Sequence, residues 1–177
     1  MTPSVRLVLV HGSLFGADQW LGYAARLGPG VEVVAPDLPG HGSRQDEQFT
    51  WAGALATIAE AVESGPPEQP VVLAGHSLGG YLAAAYAARA PSSLAGLALL
   101  GAAAEPTGVG AGVYRGAARA YRQLGPRRVE RVLRAQLHTL GTDPEVVDAL
   151  GRQGSAIDAL SAAWPAVMEH GGREQLR

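Results

Sequence analysis

The sequence contains no cysteine and no lysine, and each absence excludes a class of chemistry. Without cysteine the chain can form no disulfide, no thiolate nucleophile and no zinc–thiolate site. All 14 basic residues are arginine, so a phosphate-binding loop of the G-x-x-x-x-G-K-[ST] type is absent as well. A thiol enzyme and a P-loop nucleotide-binding protein are therefore excluded.

Long hydrophobic runs and a strong net charge are also absent. The longest apolar segment, residues 94–104, is too short to span a bilayer, and Arg6 interrupts the apolar run near the first residue. The formal net charge of −2 provides no general attraction to nucleic acid or to an anionic membrane. We expect a soluble cytoplasmic protein that acts on a small molecule, with no nucleic-acid partner, no membrane partner, no cofactor and no metal.

The residues that are present predict an α/β fold. The chain has 177 residues, of which 47% are hydrophobic and 17% charged, which suits one domain with a real core. Four short runs rich in valine or leucine are typical of strands buried on both faces. These runs are Arg6–Val10, Val31–Pro36, Val71–Ala74 and Leu94–Leu100.

Helical stretches alternate with these strands. They cover Ala17–Leu27, Trp51–Ser64 with Thr50 as its N-cap, and Leu78–Arg89. The order β-α-β-α-β-α-β predicts a parallel sheet covered by helices and joined by right-handed crossovers.

The character of the chain changes after Leu100, because no further strand-like run follows. A loop rich in glycine and alanine precedes four helical segments, near Val113–Leu124, Arg127–Leu140, Pro144–Gly151 and Ser155–His170. We therefore divide the chain into a core, residues 1–105, and a helical lid, residues 106–177.

The stretch Gly75-His-Ser-Leu-Gly79 matches the pattern G-x-S-x-G at the junction of a predicted strand and a predicted helix. This pattern places its serine at the tip of a sharp turn, where the hydroxyl is exposed for nucleophilic attack. Ser77 is therefore the candidate nucleophile. A serine hydroxyl reacts readily only when a neighbouring base accepts its proton.

Two further motifs precede this turn in order along the chain. His11-Gly12 follows the first strand, and Asp37-Leu-Pro-Gly-His-Gly42 follows the second. Together with the serine motif they resemble the α/β-hydrolase family over about residues 5–100, and the residues after His11 are similar to those of esterase and lactonase members. The resemblance implies a serine hydrolase that cleaves a carboxylic ester, a lactone or a similar acyl substrate.

In such a reaction two backbone N–H groups stabilise the oxyanion that forms from the attacked carbonyl. Leu78 is expected to supply one, since it follows the nucleophile at the start of a helix. Ser13, with Leu14 as second choice, is expected to supply the other.

The remaining polar residues of these motifs are expected to have structural roles. We interpret His11 and His41 as hydrogen-bonding to loop backbone, and Asp37 and Arg44 as fixing the loop after the second strand. His76, although adjacent to the serine in sequence, is interpreted as part of a pocket wall or of the sheet packing.

Seven arginines cluster in the predicted lid. They are Arg115, Arg119, Arg122, Arg127, Arg128, Arg131 and Arg134. Their spacing of three, four and seven places several on one helical face. A solvated helix face is the favoured interpretation, and a lid that attracts an anionic substrate or surface is the alternative.

The partners of the serine are not evident from the sequence. In the family that the chain resembles, the acid and then the histidine follow the serine along the chain. Glu105, His138 and His170 are the weak candidates, and no segment resembles a strand that ends in the acid.

We therefore expect that the chain is the first two-thirds of a longer hydrolase. Its last strand would then form an exposed sheet edge through which copies could associate. A catalytically silent binding protein, or an enzyme completed by a partner chain, remain the alternatives.

Overall fold

The computed structural model describes residues 4–89, 94–102, 112, 116, 119–153 and 156–170. Its centre is a four-stranded sheet in the order β2-β1-β3-β4, in which each neighbouring pair is parallel. The strands are β1 (Val5–Val10), β2 (Val31–Val34), β3 (Val71–His76) and β4 (Leu94–Leu100). The predicted parallel α/β fold is confirmed.

Helices connect and follow the strands. They are α1 (Tyr23–Leu27), α2 (Trp51–Glu63), α3 (Leu78–Ala87), α4 (Pro126–Thr139), α5 (Pro144–Gln153) and α6 (Ile157–His170). Residues 119–124 are helical as well. The predicted N-cap of α2 is confirmed, because the hydroxyl of Thr50 accepts a hydrogen bond of 3.0 Å from the N–H of Gly53.

The single helix predicted over Ala17–Leu27 is wrong. The chain forms a 3₁₀ turn, Ala17–Trp20, and then the short helix α1. Gly22 lies between them with φ 77°, in the left-handed region. A right-handed helix cannot continue through such a residue, and glycine adopts this conformation at little cost.

The main core lies between one face of the sheet and helices α2, α3 and α6. Val8 and Val10 of β1 are fully buried in it, whereas Leu9 belongs to a smaller cluster on the opposite face with Trp20 and Ala74. This alternation follows from the pleat of the strand. Helix α6 contributes Ala159, Ala163 and Val167 to the main core, so the end of the chain packs over the same sheet as α2 and α3.

Strand β4 is an edge strand among the described residues, because it pairs with β3 alone. Leu97 and Leu100 remain 38% and 44% exposed although the strand is apolar throughout. The expected apolar edge is thus present. Association of copies through it stays a prediction.

The described part of the predicted lid is helical and contains no strand. Helix α5 packs against α4 and against the 3₁₀ turn Ala17–Trp20, and α6 packs against α3. None of the described helices combines the length and the apolar character that crossing a membrane would require. The division of the chain at residue 105 stays a prediction.

Candidate active site

The turn from β3 to α3 holds its serine in a strained conformation. Ser77 has φ 51° and ψ −114°, and among the described residues it is the single non-glycine with a positive φ. Its N–H donates to the carbonyl of Leu100 at 2.7 Å, and its carbonyl accepts from Gly80 at 2.9 Å. A conformation of this kind costs of the order of 1–3 kcal/mol and persists because the surrounding structure enforces it.

The glycines of the motif are required by close backbone contacts. A Cβ atom on Gly75 would lie 2.2 Å from the carbonyl oxygen of Gly79, and a Cβ atom on Gly79 would lie 2.4 Å from that of Val10. Such distances are far inside van der Waals contact, and the atoms concerned belong to the backbone. The glycines therefore allow α3 to begin directly against the end of β1.

The loop after β1 approaches this turn and is held from both sides. The N–H of Gly12 donates to Oε1 of Gln19 at 2.9 Å. The carbonyl of Ser13 lies 3.1 Å from Nε2 of His41. A Cβ atom on Gly12 would lie 2.7 Å from Nδ1 of His76, so His76 packs against this loop.

Two fully buried histidines connect the loops after β1 and β2. His11 accepts from the N–H of Leu38 at Nε2, 3.0 Å, while its Nδ1 lies 2.9 Å from the carbonyl of Gly12. Nδ1 therefore carries the proton of a neutral ring. Burial, assisted by the nearby His41, lowers the pKa of His11 to about 3. Burial also lowers the pKa of His41, so both rings are neutral at pH 7.

Asp37 fixes the loop after β2, as predicted. Its carboxylate accepts from the N–H of Ala17 at 2.7 Å and from the N–H and hydroxyl of Ser43 at 2.9 and 2.8 Å. Partial burial opposes ionisation of this carboxyl group. The hydrogen bonds outweigh that effect, and the pKa of Asp37 falls below its usual value. Arg44 lies over the same loop, with Nη1 at 3.5 Å from the carbonyl of Asp37.

Three residues predicted for the site line one cavity. Ser13, Ser77 and Leu78 border it on the core side, and α6 closes it with apolar side chains. In the part of the chain that the structure describes, neither the N–H of Ser13 nor that of Leu78 has a hydrogen-bond partner. These two residues and Ser77 therefore border the same small space.

The structure does not bring the predicted base and acid to the serine. His138 is exposed on α4, and the ring of His170 lies 5.3 Å from that of Trp51. Glu105 lies outside the described residues. Across those residues no hydrogen bond joins the hydroxyl of Ser77 to a histidine or a carboxylate. No group of three His, Asp or Glu side chains there could hold a metal ion together.

Sequence reasoning missed the α6 side of the cavity. The lining residues of α6 are Leu160, Ala163, Trp164 and Val167. Their spacing of three, four and seven is typical of the buried face of a helix. That signal predicts burial, but it does not predict which surface the helix covers.

A parallel sheet with a serine on a strained strand-to-helix turn defines the class of α/β proteins that includes many hydrolases. Residues 7–173 match the model of the alpha/beta hydrolase family, and the chain belongs to this family.

Individual relatives support the assignment. The chain is 36% identical over 144 residues to a pimeloyl-[acyl-carrier protein] methyl ester esterase of Sodalis glossinidius, a match that covers 77% of this chain and 53% of that protein. It is 34% identical over 102 residues to a monoacylglycerol lipase of Xenopus laevis, covering 55% of this chain and 30% of the relative. The chain thus spans about half or less of the length of these curated relatives.

A solved structure is similar over nearly the whole chain. The malate-bound esterase of Thermogutta terrifontis superimposes with a TM-score of 0.70 at 25% sequence identity. The match covers 99% of this chain and 68% of the esterase.

Proposed function

We propose that the chain is a serine hydrolase that cleaves a carboxylic ester, a lactone or a similar acyl substrate. The observation that carries the proposal is the cavity that Ser77 shares with Ser13 and Leu78. Leu78 begins α3, where the helix dipole favours negative charge. The named relatives, an esterase and a lipase, act on the same class of bond.

In this reaction Oγ of Ser77 attacks the carbonyl carbon, and the C=O π electrons move onto the oxygen. The N–H groups of Ser13 and Leu78 donate to that oxyanion. The hydroxyl proton passes to a base and from there to the departing alkoxide when the acyl–oxygen bond breaks. Water then attacks the acyl-enzyme, which releases the carboxylic acid and restores the hydroxyl of Ser77.

The base is the component that the described residues do not provide. Neither His138 nor His170 hydrogen-bonds to Ser77. A second candidate function therefore follows, in which the chain is silent alone and a partner chain completes the site. The open edge of β4 favours it, because β4 ends at Leu100, whose carbonyl accepts from the N–H of Ser77, and a chain paired with that edge would lie one strand away from the serine. Self-association through β4 is one form of this candidate.

A fluorophosphonate probe separates the two functions. Attack by Ser77 on phosphorus forms an O–P bond and expels fluoride, so mass spectrometry of the digested protein locates the adduct. The proposal predicts an adduct on the peptide that contains Ser77 and none in Ser77→Ala. Absence of labelling in a sample shown to be folded would contradict an autonomous hydrolase. Labelling that is lost in His138→Ala or in His170→Ala would identify the base.

The partner-dependent function makes a different prediction. Labelling should rise with protein concentration in step with dimer formation measured by analytical ultracentrifugation. A charge on the exposed edge, Leu97→Asp, should reduce both together. A protein that labels well as a monomer would exclude it.

A further inference from the structure

The cavity beside Ser77 is too small for a long acyl chain. Its volume is about 10 Å³, near the roughly 10–15 Å³ that one water molecule needs. Apart from the two serines, its lining is apolar. The four side chains from α6 described above form the wall opposite the serine.

Helix α6 is fixed in this position by its packing. Ala159, Ala163 and Val167 are 5%, 1% and 0% exposed in the main core. A Cβ atom on Gly40 would lie 2.8 Å from that of Ala159, so the helix contacts the loop after β2 closely. Moving α6 away from the serine would expose this apolar surface to water, which is costly. The wall is therefore part of the core.

Trp164 is the largest side chain in that wall. It is only partly buried, unlike its neighbours on the same helix face, Ala163 and Val167. Replacing its indole by a methyl group enlarges the cavity more than any other single truncation of the wall, and it removes less of the main core than a truncation of Val167 would.

We propose that Trp164 limits the acyl part of the substrate to short chains, so that the substrate class is esters of acetate and similarly small acids. This inference rests on the proposed function, because it takes the cavity to hold the acyl group. An acyl chain that extends from Ser77 into this cavity finds about the space of one water molecule before it meets the wall that includes Trp164.

The kcat/KM values for hydrolysis of p-nitrophenyl acetate, butyrate and octanoate test this limit on the length of the acyl chain. The wild-type chain should prefer acetate, with a steep fall toward octanoate. Trp164→Ala should raise the octanoate-to-acetate ratio at least about tenfold, since one methylene group in an apolar pocket changes specificity by about 10- to 200-fold. The matched control is Trp51→Ala, which removes the same indole outside the cavity, where it contacts His170. An unchanged ratio in Trp164→Ala, or a wild-type preference for octanoate, would overturn the inference.

A binding measurement tests, without requiring catalysis, whether Trp164 limits the length of the chain that the cavity accepts. Octanoate should raise the Tm of Trp164→Ala, because its carboxylate reaches the two N–H groups and its chain fills the enlarged cavity. It should leave the Tm of the wild type and of Trp51→Ala unchanged. Octanoate that stabilises all three equally, or none, contradicts the role of Trp164.

The ester kinetics and the Tm measurements together distinguish a failure of this inference from a failure of the proposed function. Hydrolysis that survives in Ser77→Ala, or that is absent throughout, counts against the proposed function, while the Tm series still judges Trp164. If Trp164→Ala does not fold, Trp164→Phe takes its place. A smaller increase in the butyrate-to-acetate ratio and in the Tm shift is then expected, and no change in either refutes the limit.

Discussion

His41 and Ser13 join two loops that the chain separates by almost thirty residues, with Nε2 of the ring 3.1 Å from the carbonyl oxygen. The other ring nitrogen, Nδ1, lies 2.9 Å from the carbonyl of Pro39. A neutral imidazole has one N–H and can donate to only one of these carbonyls at a time. The main chain of Ser13 is thus positioned by a buried ring that does not itself line the cavity.

Replacing this ring should loosen the loop after β1. In His41→Ala the carbonyl of Ser13 loses its side-chain partner and a buried void remains, so the free energy of unfolding should fall by about 2–4 kcal/mol. The rate of fluorophosphonate labelling at Ser77 should fall as well under conditions where the variant is folded, because the N–H of Ser13 is no longer held in place. Urea denaturation and a labelling time course measure the two effects.

The control for this change is His138→Ala, which removes an exposed imidazole on α4. It should alter stability by less than about 0.5 kcal/mol, the usual range for surface positions. If His41→Ala matched this control in stability, the link to Ser13 would have no energetic weight.

The two buried histidines also predict how stability depends on pH. Burial holds the pKa of His11 at about 3, against 6.5 in the unfolded chain, and lowers that of His41. The unfolded state therefore binds more protons as the pH falls below 6.5. The stabilisation is complete above that value and is lost as the pH falls toward 3. His11 alone should remove about 1.4 kcal/mol per pH unit within this interval.

Urea denaturation between pH 7 and pH 4.5 measures how the free energy of unfolding changes with pH. The low pKa of Asp37 acts in the same direction, but only below about pH 4, so the histidines dominate the chosen range. A variant without the titrating ring, His11→Gln, should be less stable at pH 7 and should show a flatter profile. An identical slope in the variant and the wild type would assign the pH dependence to other groups.

The sequence was sufficient to predict the strands, the serine turn and the loops that face it. Each of these depends on short-range chemistry: apolar runs between Gly, Pro and Asp form buried strands, and close backbone contacts demand glycine at Gly75 and Gly79. The structural roles of His11 and His41 were predictable for the same reason, since each ring hydrogen-bonds to the backbone of the motif in which it occurs or of the loop beside it.

The cavity wall could not be predicted, because it depends on long-range packing. The apolar face of α6 gives no information about whether it meets α3, the sheet or another helix. The break at Gly22 was missed for a different reason: an isolated glycine within a helical pattern is tolerated at a cost of about 1 kcal/mol, so it does not by itself predict where a helix ends. Propensity alone did not distinguish the two outcomes.

The contact between Gly79 and β1 makes a sharp prediction. In Gly79→Ala the added methyl group would lie 2.4 Å from the carbonyl oxygen of Val10 and 2.7 Å from that of His11, so α3 must shift away from the strand. We expect the free energy of unfolding to fall by at least about 2 kcal/mol.

Gly116→Ala is the matched control, since its Cβ atom would meet nothing within 4 Å and the residue is helical. That change should stabilise the chain by up to about 1 kcal/mol. Thermal unfolding compares the two, and equal Tm values would show that the turn relaxes freely.

A buried arginine, Arg6, lies at the opposite end of the sheet from Ser77. The guanidinium of Arg6 donates to Glu32 at 2.8 Å, to the carbonyl of Ala61 at 3.2 Å and to the hydroxyl of Ser64. The side chain of Arg6 is 6% exposed, whereas that of Glu32 is 35% exposed and partly screened by water.

Removing the carboxylate in Glu32→Gln should therefore cost only about 1–2 kcal/mol of stability, because Arg6 keeps its other acceptors. Removing the cation in Arg6→Ala should cost about 3–5 kcal/mol, since three acceptors lose their donor and the apolar stem leaves a void. A double-mutant cycle by urea denaturation should give a coupling of about 0.5–2 kcal/mol. A coupling near zero would show that Arg6 is held by α2 alone.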